Sequence, residues 1–310
     1  MKVIFLGTPD FSVPVLQAIA NSRHKVVAVV CQPDKPSGRG NKLISCPAKI
    51  KAEQLNIPVY QFSKIRVDGV DTLKQLNADI MVTAAYGQIL SQEIIDICPN
   101  GIINVHGSLL PKYRGASPIQ QAIIDGEKET GITIMKTEAG IDTGDVLCFK
   151  KQEICKDDTY GTLSEKLSHL GADLCVEALN LIEDKKAVFV PQNNELASHT
   201  KMIKKENTKI DFNKTPNEIV NLIRGLNPNP VAYFDINENS YKVFSAKPIN
   251  YVGDEKNGTI IFASGKQGLV IKCQDGAVEI IEMIAPNSKK MMAKSYLNGK
   301  KIEVGSIVNE

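Results

Sequence analysis

The chain has 310 residues, 43% hydrophobic and 23% charged, proportions of an ordinary globular protein that exclude disordered, collagen-like and disulfide-scaffold classes. At roughly 150 residues per domain, the length predicts two domains. The formal net charge of +2 hides an asymmetry: residues 1–200 hold 21 basic against 23 acidic side chains, and residues 201–310 hold 16 against 12. So small a positive excess steers a phosphate-bearing partner toward the second part in some proteins and sits on inert surfaces in others.

From the N-terminus to about residue 150, Val- and Ile-rich stretches alternate with longer amphipathic segments, which predicts a Rossmann-like, mostly parallel α/β sheet with helices on both faces. Strands are expected over residues 2–6, 26–31, 79–84, 102–106 and 131–136, and helices over 13–21, 47–55, 71–75, 92–98 and 117–125. Leu163, Leu167, Leu170, Leu174 and Leu179 form one stripe of a long helix over 159–183 that closes a first domain spanning 1–190. Residues 191–208 turn polar and lose periodicity, as an inter-domain linker does. A helix over 216–224, a Pro-rich Asn227-Pro228-Asn229-Pro230 and five short strands over 231–235, 241–246, 259–263, 268–273 and 277–283 predict a small OB-like barrel in a basic domain over 209–310.

No apolar run reaches the roughly 18 to 20 residues of a membrane helix, and the apolar stretch after Lys2 is too short for a signal peptide, so a cytoplasmic protein without membrane contact is expected. Seven cysteines without a C-x-x-C pair and four scattered histidines predict reduced thiols and no metal.

Three stretches could carry chemistry, and a fourth, the turn after the first strand, loses its candidate role. The first strand ends in Leu6-Gly7-Thr8-Pro9-Asp10, where the G-x-G-x-x-G spacing is absent, so a nicotinamide or flavin cofactor is not expected. Asn104 and His106 lie two apart on a predicted strand and therefore face one side, at the carboxyl edge where open α/β sheets bind ligands. Asp142 lies in Ala139-Gly140-Ile141-Asp142-Thr143-Gly144-Asp145, where flanking glycines let the backbone bend the carboxylate back over that edge, or form an ordinary Asx turn. Residues 35–42, Lys-Pro-Ser-Gly-Arg-Gly-Asn-Lys, form a long basic loop that is either functional or a solvated charge run. An amide, an imidazole and a carboxylate without a Ser or Cys nucleophile motif suit acyl transfer to an amine supplied by the substrate, with the amide and imidazole stabilising an oxyanion.

N-x-H-G-S-L-L-P-x-Y-R-G-A-S-P over residues 104–118, with A-G-I-D-T-G-D over 139–145, resembles the folate-dependent formyltransferases. The resemblance spans nearly the whole chain through G-T-P-D-F at 7–11, Q-P-D-K-P-S-G-R-G at 32–40, A-Y-G at 85–87 and I-R-G-L-N-P at 223–228. It implies that 10-formyltetrahydrofolate donates its formyl group to the α-amino group of methionyl initiator tRNA, with Asn104, His106 and Asp142 as the catalytic triad. Ser108, Leu109, Leu110 and Pro111 would then line the folate pocket. Arg39, with Lys35 and Lys42, would engage the tRNA acceptor arm, the basic second domain would bind tRNA, and the protein would act as a monomer. A formyltransferase acting on an amino-sugar nucleotide, or a non-catalytic RNA-binding relative, is the competing reading; Lys289, Lys290, Lys294, Lys300 and Lys301 near the C-terminus favour RNA. The chain has no Trp; Phe212 and Tyr233 stand where relatives often carry one, which reads as a substitution within the core.

Overall fold

A computed structural model of the chain describes residues 1–37 and 42–310. The fold divides into two compact units, each assembled from several stretches of sequence. The first comprises Met1–Pro118, Glu129–Glu153 and Ser164–Thr200, and the second Ile119–Lys128, Ile154–Leu163 and Lys201–Glu310. Residues 191–200 of the expected linker thus fall in the first unit, where they form the 3-10 turn Asn194–Leu196 and the short strand His199–Thr200.

The strands of the first unit, in chain order, are β1 (Lys2–Gly7), β2 (Lys25–Cys31), β3 (Lys35–Ser37), β4 (Lys42–Ile44), β5 (Val59–Gln61), β6 (Ile80–Ala84), β7 (Ile102–His106), β8 (Arg114–Gly115), β9 (Glu129–Lys136), β10 (Val146–Glu153) and β11 (His199–Thr200). Seven of them form one sheet in the order β10-β9-β7-β6-β1-β2-β5. The pairs from β5 to β7 are parallel, while β9 and β10 run antiparallel at one side. Strand β6 is buried along its whole length and β1 at every residue but Lys2, as parallel strands covered on both faces must be. The helix Ser12–Ala20 buries Ser12, Val15, Leu16 and Ile19, one stripe at helical spacing. The helix Tyr160–Glu183 is continuous, as expected.

Strand β10 was not foreseen. Its sequence VLCFKKQE shows no clean alternation, and no residue of it is fully buried, with Phe149, Lys150, Lys151 and Glu153 exposed, because it closes the edge of the sheet. The expected helix over 92–98 is shorter, ending as Gln92–Ile95.

In the second unit, β12 (Ala232–Ile236), β13 (Asn239–Ile249), β14 (Ile260–Ser264), β15 (Gly268–Cys273), β16 (Gly276–Ile284) and β17 (Met291–Met292) form an antiparallel, barrel-like sheet in the order β12-β13-β16-β15-β14, with β17 on β16. Register shifts around Ser245 let the long β13 bend where a flat strand could not curl. The helix Pro216–Gly225 starts at a reciprocal cap, in which Thr215 Oγ1 accepts from the Glu218 N–H at 3.3 Å and Glu218 Oε2 accepts from the Thr215 N–H at 2.9 Å. It buries Ile219 and Ile223 against a core in which Phe234 stacks on Tyr241 at 5.4 Å and meets Phe212 edge-on at 6.0 Å. Phe212 is therefore a core aromatic, whereas Tyr233 is only half-buried, because on β12 its neighbours Ala232 and Phe234 take the inward face.

Candidate active site

Asn104 and His106 occupy alternate positions of β7 and share one face, near its carboxyl end. In the sheet register Asn104 lies beside Thr83 of β6, and the Thr83 hydroxyl donates to Asn104 Oδ1 at 2.8 Å. With Oδ1 occupied as acceptor, the amide Nδ2 is turned toward Asp142 Oδ1, 3.4 Å away. His106 is 5% exposed, and its Nε2 donates to the Tyr113 carbonyl at 3.0 Å. A carbonyl only accepts, so this bond fixes a proton on Nε2 and leaves Nδ1 facing Asp142 Oδ2 at 3.6 Å.

Asp142 reaches that position from a turn. Its φ of 52° is the left-handed conformation that Asp tolerates better than most residues. Its Oδ2 accepts from the Gly115 N–H at 2.8 Å. The Gln192 side chain donates to both the Asp142 carbonyl at 2.9 Å and the Gly144 carbonyl at 2.7 Å. Gly115 must be glycine: its φ is 107°, and a Cβ there would run into the Thr200 carbonyl. Arg114, 3% exposed, donates through Nε and Nη2 to Gln192 Oε1 at 3.0 and 2.8 Å and through Nη2 to Asn194 Oδ1 at 2.8 Å.

Sequence reasoning overlooked Thr83, Arg114 and Gln192. Thr83 had a signal, a lone hydroxyl in the otherwise apolar β6, and Arg114 sat unassigned inside the quoted motif. Gln192 had none, since it lies in a polar stretch that reads as a linker.

Ser108 is fully buried, and its hydroxyl donates to the Lys112 carbonyl at 2.6 Å, so it shapes its loop from inside. Leu109, Leu110 and Pro111 are half-buried. Thr133, opposite His106 in β9, fastens this loop by donating to the Ser108 carbonyl at 2.7 Å and accepting from the Leu110 N–H at 3.1 Å. Lys35 and Lys42 lie in the paired strands β3 and β4, and Arg39 lies outside the described residues.

All seven cysteines are unpaired, and burial pushes the Cys98, Cys148 and Cys273 thiols up to about 11 and Cys175 higher still, which leaves them weak nucleophiles. Among the described residues no group of three or more His, Cys, Asp or Glu side chains is placed to hold a metal, and no helix is long and apolar enough to cross a membrane.

In the second unit, Lys290 pairs with Glu282 at 2.9 Å and lies 4.4 Å over the Phe244 ring. Burial works against the charge of Glu279, but Lys247 and Lys294 more than offset it and hold its carboxyl below the usual range. Two of the five C-terminal lysines thus already pair with acids while staying close to half-exposed, and Lys289, Lys300 and Lys301 are exposed.

A family model described as formyl transferase matches residues 1–179, and one described as formyl transferase, C-terminal domain, matches residues 202–301. The chain belongs to the formyl transferase family. Among its relatives, the methionyl-tRNA formyltransferase of Agathobacter rectalis is 47% identical over 307 residues, covering 99% of both chains. That of Acetivibrio thermocellus is 45% identical over 316 residues, covering 100% of both. The formyl transferase fold is shared with a solved sugar 3N-formyl transferase, WlaRD, determined in the presence of dTDP and 5-N-formyl-THF, with a TM-score of 0.69 and 22% identity, covering 93% of this chain and 99% of that one. As a member of a formyl transferase family the chain is an enzyme.

Proposed function

We propose that the chain transfers the formyl group of 10-formyltetrahydrofolate to the α-amino group of methionyl initiator tRNA. One observation carries the mechanism: a carboxylate, an amide and an imidazole meet, with Asp142 oxygens 3.4 Å from Asn104 Nδ2 and 3.6 Å from His106 Nδ1. Full-length identity of 41–47% to relatives named methionyl-tRNA formyltransferase supports the acceptor over an amino sugar, for which the likeness is one of fold.

The donor supplies a formyl carbon bound to nitrogen; half-buried Leu109, Leu110 and Pro111, three to five residues beyond His106, offer an apolar wall to its ring system. As the amine attacks, the new C–N bond pushes the carbonyl electron pair onto oxygen. An Asn104 Nδ2–H stabilises that charge, and the His106 ring beside it, when charged, adds a positive field. Asp142 takes the proton released by the attacking nitrogen, and collapse of the tetrahedral centre breaks the bond to the donor nitrogen, which is protonated in turn. A free α-amino group titrates at about 7.7 to 8.0, so a sizeable minority is unprotonated at neutral pH and no strong base is required. Arg39 with Lys35 and Lys42 engages the acceptor arm in this reading, and Arg39→Ala is expected to weaken reaction with tRNA more than folate binding; equal losses in the two assays would argue against that role.

The deciding experiment offers 10-formyltetrahydrofolate with methionyl-tRNA or with an amino-sugar nucleotide. Formyl-methionyl-tRNA is the expected product. Formylation of the amino sugar instead, or of neither, overturns the proposal.

A further inference from the structure

We propose that Gln192 is a positioning residue for this reaction, holding the Asp142 turn in register through an amide that buried Arg114 orients. The inference rests on the role given to Asp142 above and adds a residue to it.

The bonding leaves Gln192 one orientation. Arg114 has only donors, so the two bonds from its Nε and Nη2 must end on Gln192 Oε1. Backbone carbonyls only accept, so the bonds to Asp142 and Gly144 must begin at Nε2, one from each N–H. Two acceptor bonds and two donor bonds satisfy the amide. The arginine is 3% exposed and cannot rotate away into water, and its Nη2 is also tied to Asn194 Oδ1. The arrangement grips the Asp142 residue by its own carbonyl, in a left-handed backbone conformation that nothing in a regular ladder sustains. Arg114 belongs to the same short segment whose Tyr113 carbonyl accepts from His106 Nε2 and whose Gly115 N–H donates to Asp142 Oδ2. The Arg114–Gln192 pair, together with the Gly115 N–H, therefore ties the carboxylate's turn to the segment that holds the imidazole.

Methionine has the length of glutamine without its hydrogen bonds, and glutamate keeps the pairing with Arg114 while turning an oxygen on the two carbonyls. Gln192→Met is expected to lower kcat roughly ten- to a hundredfold, since a misplacement on the order of 1 Å costs about that much, with the KM for folate within threefold. Gln192→Glu is expected to lose as much activity when both variants are assayed well below their measured melting temperatures, with the KM for folate again within threefold, which separates positioning from folding. In single-turnover assays on an Asp142→Asn background, Gln192→Met is expected to cost nothing further. The proposal is overturned by a Gln192→Met kcat within threefold of wild type, by full activity of Gln192→Glu, or by the same fractional loss in both backgrounds. Wild-type activity of Asp142→Asn alone would instead sink the role of Asp142.

Discussion

The site draws its groups from two regions held in different ways. Asn104 and His106 stand on β7, a strand flanked by β6 and β9 and bonded along both edges, so the ladder itself fixes where their side chains point. Asp142 stands on a turn at φ 52°, and its position depends on Gly115, Gln192 and, behind Gln192, Arg114. A strand shares its strain over many equivalent bonds. A turn concentrates it in a few, so substitutions some distance from the reacting atoms should matter more at Asp142 than at Asn104.

Four substitutions test that contrast, in decreasing order of effect. On the proposed mechanism Asp142→Asn removes the proton acceptor while keeping the shape, and kcat should fall by about 10²- to 10⁴-fold, the usual worth of a general base; activity near wild type would remove Asp142 from the chemistry. Asn104→Ala takes away the proposed oxyanion donor, a group typically worth about 2.7 to 4 kcal/mol, so kcat should drop roughly a hundredfold or more with folding intact, and a value within threefold would reject its role. Gly144→Ala sharpens the comparison from the turn side: a methyl group there would overlap the Lys136 carbonyl, and the turn must shift. A loss of about tenfold in kcat with about 1 to 3 kcal/mol of stability is expected, read by urea unfolding beside the kinetics. Thr83→Val strips the hydroxyl that orients the Asn104 amide. Since β7 still holds the residue, the cost should be that of one hydrogen bond, about 0.5 to 1.5 kcal/mol, or roughly two- to tenfold in kcat. If Thr83→Val proves more damaging than Gly144→Ala, the strand is not the sturdier support.

The C-terminal lysines show the same difference between what a pattern displays and what a fold spends. As a sequence, Lys289, Lys290, Lys294, Lys300 and Lys301 are five equal charges. In the fold Lys290 and Lys294 lie against Glu282 and Glu279, residues of β16 that no linear window places beside them. Much the same holds for β10. Its partial burial at the sheet edge leaves no alternation to detect, whereas β1, β2, β6 and β7 were visible as apolar runs because parallel strands bury both faces.

By itself the sequence determined the β-α-β-α organisation, a long helix over 159–183, the common facing of Asn104 and His106, and a glycine-flanked turn at Asp142. Each of these depends on periodicity or local backbone preference within a few residues. Only the tertiary structure decided which groups support them: Thr83 from the neighbouring strand, Gly115 27 residues before Asp142, and Gln192 50 residues after it. Hydrogen-bond partners at that separation are chosen by packing, and the bare sequence of a polar stretch carries no mark of the backbone carbonyls its side chains will meet.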